Sequence, residues 1–332
     1  MNVRTLTSLL AAAFLVAAAA PATGASGLAA ATLVPAAGGA NSGPPIRPSY
    51  PFRPGPVPTP KALKVRGQYY SANWGGFIDG AAPSSTSSNG LAGIGATFDG
   101  VDASWAVPQL QPSAPNSYEA SWVGLGGVTG TQNLLQAGTI EYFSGPRAEY
   151  VAFVEDYPNP PLYVNAPVHP GDAIAATAAA PSSVDVTDYS AGWTTGQVDL
   201  DAVYGSLGYT YYAPDQQTAE WIVEDPTCGS MLCAFANFSP ETFGPVQDTT
   251  STAITRTPLE SIIVNAQGQP QVTVSPSSIG ASTSTEGSFS AFTVVRASSS
   301  GPGPKPGGPG PKPGGPGKNG SPGQNPGPGH QH

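Results

Sequence analysis

Two tracts of the chain place a polar side chain on a strand face that also carries apolar residues. In the tract 133–138, the alternation of β-strand side chains puts Gln136 on the same face as Leu134. In the tract 219–225, Glu220 shares a face with Ile222 and Glu224. A carboxylate can exchange a proton with an attacking water, and an amide can donate a hydrogen bond to a developing oxyanion. Spacing alone leaves open that these are solvent-facing side chains of half-exposed strands.

Other catalytic chemistries find little support between residues 69 and 299. This segment contains one histidine, His169, which lies between two prolines in an apparent loop and is interpreted as a surface residue. No G-x-S-x-G motif and no Asp-Thr-Gly or Asp-Ser-Gly tract occurs. The glycine-rich stretch 124–127 has neither the lysine nor the following helix of a phosphate-binding loop, and is interpreted as turns. Carboxylate chemistry remains, and it requires no metal and no cofactor.

The two cysteines, Cys228 and Cys233, are separated by four residues. In a secreted chain this spacing predicts a local disulfide. A metal site is disfavoured because His169 is the only histidine in the segment that could join the pair.

The charges are divided by position. Residues 1–68 carry six basic residues and no acid, whereas residues 69–299 carry all 21 acids, no lysine and only three arginines. Such an acidic segment excludes nucleic acid as a partner, because phosphate binding needs clustered Lys and Arg. Its self-repulsion decreases as carboxylates are protonated, which favours function in an acidic environment.

Four segments are predicted from the composition. Residues 1–25 form a signal peptide, in which Arg4 precedes an apolar run that is too short to span a bilayer. The protein is therefore expected to be secreted and extracellular. Residues 26–68 form a basic, Pro-rich, poorly packed propeptide, although a simple spacer is the alternative. Residues 69–299 form the functional domain. Residues 300–332 form a disordered Gly/Pro-rich tail.

The domain is predicted to be all-β. Short apolar and aromatic runs, among them QVDLDAVYG and AEWIVEDP, alternate with Gly, Pro, Ser and Asn. No segment has the spacing of a helix longer than two turns. Strands at this density predict an antiparallel β-sandwich of two sheets.

Several tracts, in this order along the chain, resemble the glutamic peptidases, the eqolisin or G1 family. They cover most of the acidic domain and are Asn73–Gly76, Ser121–Gly124, Leu135–Gly138, Phe153–Pro158, Ala219–Asp225, Ala236–Pro240 and Ser261–Asn265. The resemblance implies a lectin-like sandwich (a concanavalin A-type jelly roll) with a cleft on one sheet. It also implies an acid-acting endopeptidase that binds protein and peptide substrates and its own basic propeptide, which is removed in acid. A loop closed by Cys228 and Cys233 also resembles one in the family.

The resemblance assigns the site residues. Glu220 would be the general base and acid that activates water, and Gln136 would stabilise the oxyanion. Four further residues are assigned to substrate binding: Trp74, Trp122, Glu155 and Tyr157. For Glu155, the favoured role is to support a hydrogen-bond network. We also expect a monomer that binds no metal.

Two positions depart from the family pattern. Gly126 and Ile140 stand where many members have aspartates, although Glu141 follows directly. Two alternatives stay open. The first is a lectin-like glycosidase or carbohydrate-binding module in which Trp74, Trp105 and Trp193 stack on sugars. The second is a non-catalytic adhesion domain with the tail as its stalk.

Overall fold

The computed structural model describes residues 28–35, 68–87, 90–129, 131, 133–228 and 231–297. The signal peptide, most of the propeptide and the Gly/Pro-rich tail, as predicted from the sequence, lie outside these residues. Among the described residues, no helix is long and apolar enough to cross a membrane.

Strands make up nearly all of the regular structure. In chain order they are β1 Ala29–Ala30, β2 Leu33–Pro35, β3 Gln68–Ser71, β4 Trp74–Asp79, β5 Ala81–Pro83, β6 Leu91–Gly93, β7 Phe98–Ala106, β8 Leu110–Gln111, β9 Ser117–Gly126, β10 Leu134–Ser144, β11 Arg147–Tyr157, β12 Leu162–Val164 and β13 Ala173–Ala179. They continue with β14 Ser183–Asp188, β15 Trp193–Thr194, β16 Val198–Asp199, β17 Ala219–Glu224, β18 Thr227–Cys228, β19 Met231–Leu232, β20 Ala234–Phe235, β21 Asn237–Phe238, β22 Glu241–Thr250, β23 Leu259–Ile263, β24 Val272–Ser275, β25 Glu286–Phe289 and β26 Phe292–Arg296.

Two large, mostly antiparallel sheets form the sandwich, which confirms the predicted fold class. Sheet I has the order β1-β15-β14-β13-β7-β22-β26-β24, with β16 beside β14 and β25 beside β22. Sheet II has the order β2-β12-β11-β10-β9-β17-β4-β23-β3, with β20 beside β9. Among the described strands, the parallel pairs are β1 with β15, β20 with β9, and β23 with β3.

The alternation of side chains along sheet II produces two apolar clusters. Val123 of β9, Ala137 of β10 and Trp221 of β17 belong to the cluster that fills the space between the sheets. Trp122 and Ile222, one residue away on the same strands, belong to a second cluster on the opposite face. Burial on both faces explains why these strands are apolar almost throughout, and the second face is where the predicted site residues lie.

A stretch of the predicted propeptide takes part in the fold. The sequence predicts little core-forming capacity for residues 26–68, yet β1 and β2 pair with edge strands of both sheets, and Ala31 and Leu33 pack against the inter-sheet core. Strand edges offer unpaired backbone groups, which a short apolar segment can satisfy. The chain between Pro35 and Gln68 therefore connects opposite edges of sheet II.

One predicted strand is wrong. The run QVDLDAVYG contributes only β16 and then forms the helix α1, Leu200–Ser206. Asp199 caps its N-terminus by accepting hydrogen bonds from the backbone nitrogens of Asp201 and Ala202. Leu200 and Tyr204 are buried on one side of the helix, a spacing that also fits an alternating strand pattern over so short a run.

Candidate functional site

Gln136 and Glu220 lie opposite the same residue. Gly124 is in the middle strand β9, and it is paired with Gln136 of β10 on one side and with Glu220 of β17 on the other. Directly opposed residues project from the same face of a sheet, and neighbouring strands are about 4.8 Å apart. The two backbones are therefore about 9.6 Å apart, with both side chains on the face that points away from sheet I.

Gly124 lets the side chains of Trp122 and Leu134 pack closely over the backbone between the two functional groups. A Cβ atom at this position would lie 2.9 Å from both Trp122 Cζ3 and Leu134 Cδ1. The sequence interpretation placed residues 124–127 in turns, and that is wrong for residues 124–126, which lie within β9. The lack of a side chain here is thus required by the packing of Trp122 and Leu134, which fill the place of a Cβ between Gln136 and Glu220.

The amide of Gln136 is held by Glu155. These residues are paired across β10 and β11, and Gln136 Nε2 donates a hydrogen bond of 2.7 Å to Glu155 Oε2. In this contact the nitrogen end of the amide faces Glu155, and the second N–H of the same nitrogen stays available. Burial, and then the nearby Glu224, raise the pKa of Glu155 well above its usual range.

Glu220 is completely buried, and the only hydrogen-bonding side chain near its carboxyl among the described residues is Thr218, which lowers its pKa. Burial is the main reason why the pKa of Glu220 is raised well above its usual range, and the negative charges of Asp215 and Asp79 act in the same direction. The carboxyl is thus neutral in this arrangement. A buried acid with a strongly shifted pKa is a common feature of functional sites.

The two tryptophans expected in the cleft lie together on this face. The rings of Trp74 and Trp122 meet edge to face, with centroids 4.8 Å apart. Trp122 Nε1 donates to Glu224 Oε2 at 2.9 Å, and Asn73 Nδ2 donates to the other oxygen of Glu224 at 3.2 Å. Glu224 and Asn73 were not predicted as site residues, although the position of Glu224 on the face of Glu220 was a usable signal.

The remaining assignments fall at the margin of the site or outside it. Tyr157 is half-buried at the end of β11, directly opposite Leu134 on the same face. His169 is exposed and contacts Asp172, as expected of a surface residue. In the part of the chain that the structure describes, no cluster of three or more His, Cys, Asp or Glu side chains could hold a metal. Cys228 and Cys233 form the predicted disulfide.

The two departures from the family pattern have structural explanations. Gly126 has φ of +85°, and a Cβ there would lie 2.6 Å from the carbonyl oxygen of Asn133, so an aspartate does not fit this backbone. Ile140 belongs to the apolar cluster on the site face. Glu141 points the other way, between the sheets, and therefore does not replace the missing acid.

Two of the three tryptophans proposed for sugar stacking, Trp105 and Trp193, lie between the sheets and not on the face of Gln136 and Glu220. Trp105 is 3% exposed and packs against Phe243 between the sheets, and Trp193 is 4% exposed and belongs to the same core. The carbohydrate-binding alternative loses this support.

Comparisons with known proteins are consistent with this geometry. A family description, "Peptidase A4 family", matches residues 59–289. Aspergillopepsin-2 of Aspergillus niger is 29% identical to this chain over 197 residues. The aligned residues make up 54% of this chain and 66% of that protein, so the chain spans slightly less than two thirds of this relative. A crystal structure of scytalido-glutamic peptidase with a transition-state analogue inhibitor shares the fold, with a TM-score of 0.50 and 21% identity over 68% of this chain and 98% of that one. On the extent of the family match, the chain belongs to the peptidase A4 family, the glutamic peptidases or eqolisins.

Proposed function

We propose that this protein is an endopeptidase that hydrolyses peptide bonds in acid with Glu220 and Gln136. The observation that carries the proposal is their common cross-strand partner, Gly124, which places an acid and an amide on one sheet face, two strands apart. A peptide bond that lies over Gly124 once Trp122 and Leu134 make room would have its carbonyl within reach of both groups.

The chemistry follows from the two functional groups. Ionised Glu220 takes a proton from a water molecule as the water oxygen bonds to the peptide carbonyl carbon. The carbonyl oxygen then carries the negative charge, and it accepts a hydrogen bond from the N–H of Gln136 that Glu155 does not use. Glu220 returns its proton to the departing nitrogen as the carbon–nitrogen bond breaks.

The burial of Glu220 has a consequence for this mechanism. While the face is closed to water, the pKa of Glu220 is raised and the neutral carboxyl cannot act as a base. Access of water and substrate would reduce the desolvation and lower the pKa toward its usual range. The carboxylate would then form in acid, and the closed arrangement corresponds to a latent state.

A latent precursor is also supported by charge and connectivity. We propose that residues 1–25 direct secretion and that residues 26–68 form a basic propeptide that is cleaved in acid. The segment between Pro35 and Gln68 joins opposite edges of sheet II, a distance of about 38 Å over eight strand spacings. It carries five basic residues and no acid, whereas Glu155, Glu220 and Glu224 lie on the face of that sheet.

The test is an acid protease assay with matched variants. The secreted protein is incubated at pH 3–4 with a denatured protein in the presence of pepstatin, and cleavage sites are read by mass spectrometry. We expect pepstatin-insensitive cleavage that is lost in Glu220→Gln and Gln136→Ala. Glu286→Gln, a change at an exposed position of sheet I, is the control and should retain activity. Cleavage that persists in either site variant would refute the assigned pair, and glycan binding without cleavage would favour the carbohydrate-binding alternative.

A further inference from the structure

The edges of both sheets meet a single short segment of the predicted propeptide. Ala29 and Ala30 run parallel to β15 of sheet I, opposite Trp193 and Thr194. Three residues later, β2 runs antiparallel to β12 of sheet II, with Leu33 opposite Val164. Residues 28–35 therefore bridge the two layers of the sandwich at one side.

Backbone hydrogen bonds join this segment to both edges. Ala29 N donates to Gly192 O at 2.8 Å, and Ala31 N donates to Thr194 O at 2.7 Å. On the other sheet, Asn165 N donates to Thr32 O at 2.7 Å. Because the three bonds involve both edges, the segment satisfies backbone groups that would otherwise be open on each sheet.

The side chains of the segment also divide into two sets. Ala31 and Leu33 are partly buried and pack against the inter-sheet core, whereas Thr32 between them is exposed. Residues 28–35 contain no charged residue, unlike residues 36–67, which contain five basic ones. The segment thus has the alternating pattern of an edge strand. Its hydrogen bonds and apolar contacts lie at the side of the sandwich and not on the face of Gln136 and Glu220.

We propose that β12 and β15 form an acceptor site for residues 28–35, and that this segment stays bound as a structural strand after the chain is cut between residues 36 and 67. The processed protein would then consist of two non-covalently associated chains. This departs from the simple expectation that everything before residue 69 is discarded. The proposal does not depend on the peptidase activity, since it concerns how the segment is held and not what cuts the chain.

The test uses the full chain with an external protease. A recognition sequence for a site-specific protease is inserted after Tyr50 in the Glu220→Gln variant, so that any self-cleavage is suppressed. After cutting, size-exclusion chromatography under native conditions followed by mass spectrometry shows whether the N-terminal fragment elutes with the domain. We expect co-elution, and a fragment that separates from a domain with unchanged circular dichroism would overturn the proposal.

Matched substitutions identify which residues hold the fragment. Leu33→Asp places a charge against the core, whereas Thr32→Asp places the same charge in solvent. We expect Leu33→Asp to increase fragment dissociation at least tenfold and Thr32→Asp to leave it unchanged. Equal retention of both fragments would show that residues outside 28–35 hold the fragment, and the proposal would be wrong.

A peptide-exchange measurement covers the case in which Leu33→Asp prevents folding. The wild-type protein is cut, and labelled synthetic peptides spanning residues 26–40 compete with its own fragment. The wild-type and Thr32→Asp peptides should exchange into the domain, and the Leu33→Asp peptide should compete at least tenfold less well. Identical competition by all three peptides would contradict the acceptor site.

Discussion

The side-chain nitrogen of Gln136 lies 2.7 Å from Oε2 of Glu155, its directly opposed neighbour on the next strand. An amide can rotate so that its oxygen and nitrogen exchange places, and only the nitrogen can donate to an oxyanion. In the structure the nitrogen faces Glu155, and an acceptor oxygen of that carboxyl, which is present in the neutral and the ionised form alike, receives its N–H. Glu155 is thus a positioning residue in the proposed mechanism.

Substitution of Glu155 tests this positioning. Because burial and Glu224 raise the pKa of Glu155, its carboxyl is neutral in acid, and Glu155→Gln closely imitates that form. We expect Glu155→Gln to keep kcat within a few-fold of the wild type. Glu155→Leu removes the acceptor, and kcat should fall about 10²-fold with little change in KM, the effect typical of a disturbed oxyanion donor. Equal kcat values for Leu, Gln and Glu at this position would show that the contact does not position Gln136.

Gly124 gives a second test of the geometry. In Gly124→Ala, the new methyl group would lie 2.9 Å from Trp122 and Leu134, so these side chains must shift beside Gln136 and Glu220. We expect kcat/KM to fall at least tenfold, because a misplacement of about 1 Å at a reacting centre can cost about 10²-fold. Gly280→Ala is the control, since a Cβ there meets no atom within 4 Å. Unchanged kcat/KM in Gly124→Ala would argue against substrate binding over this residue.

Arg256 provides a test of stability away from the site. Its guanidinium is fully buried, Nε donates to Asp79 at 2.9 Å, and Nη2 donates to Asp248. Arg256→Met would leave two buried carboxyls without their cation, and such losses cost about 3–5 kcal/mol. We expect a Tm lower by about 10 °C in thermal unfolding, since 1 kcal/mol corresponds to about 2–4 °C for a domain of this size. Arg147→Met, at an arginine that is 79% exposed, should leave the Tm unchanged.

Sequence patterns predicted the strands around the site well because successive side chains of a strand point strictly to opposite faces of the sheet. The period of two along β10 and β17 assigns Gln136 and Glu220 to definite faces, and the second face proved to be the site face. The pairing of each residue with Gly124, in contrast, depends on the register of strands far apart in the chain. Local spacing does not contain that register, so the role of Gly124 could not be predicted.

Helix α1 and the association of residues 28–35 with the domain also differ from the sequence-based expectation, because local patterns do not determine them. Helix α1 spans only seven residues, too few to distinguish a helical from an alternating pattern, and the cap formed by Asp199 favours the helix. The association of residues 28–35 with the domain depends on edges formed by β12 and β15, more than a hundred residues away. A disulfide between Cys228 and Cys233 was predictable because it is local.

Three glutamates lie between the sheets without a basic partner among the described residues. Glu119 and Glu141 oppose each other on β9 and β10, and Glu241 approaches from β22 of the other sheet. The hydroxyl of Ser121 lies 2.7 Å from Glu119 Oε1 and 2.6 Å from Glu241 Oε2. A hydroxyl has one proton to donate, so at least one of these two carboxyls must be protonated and donate to Ser121.

This cluster predicts that the protein is more stable in acid than at neutral pH. Burial raises the pKa of Glu119 to about 7 and those of Glu141 and Glu241 well above their usual range. A raised folded-state pKa contributes stability that is fully present below the unfolded-state value and is lost as the pH rises through the folded value. For Glu119 alone, the difference between 4.5 and about 7 corresponds to about 3 kcal/mol. We therefore expect the Tm to decrease steadily from pH 4 to pH 8.

Neutral substitutions in the cluster should weaken this dependence. Glu119→Gln and Glu241→Gln keep the shape of a protonated glutamic acid but cannot ionise, so each should reduce the fall in Tm between pH 4 and pH 8 by several degrees. Glu286→Gln, at an exposed position, should leave the fall unchanged. Thermal unfolding followed by circular dichroism at each pH, with the Glu220→Gln substitution present to prevent self-digestion, measures the effect. If all variants lose stability in parallel with the parent protein, the pH dependence arises elsewhere, and the buried acids of the site face, Glu155 and Glu224, become the next to substitute.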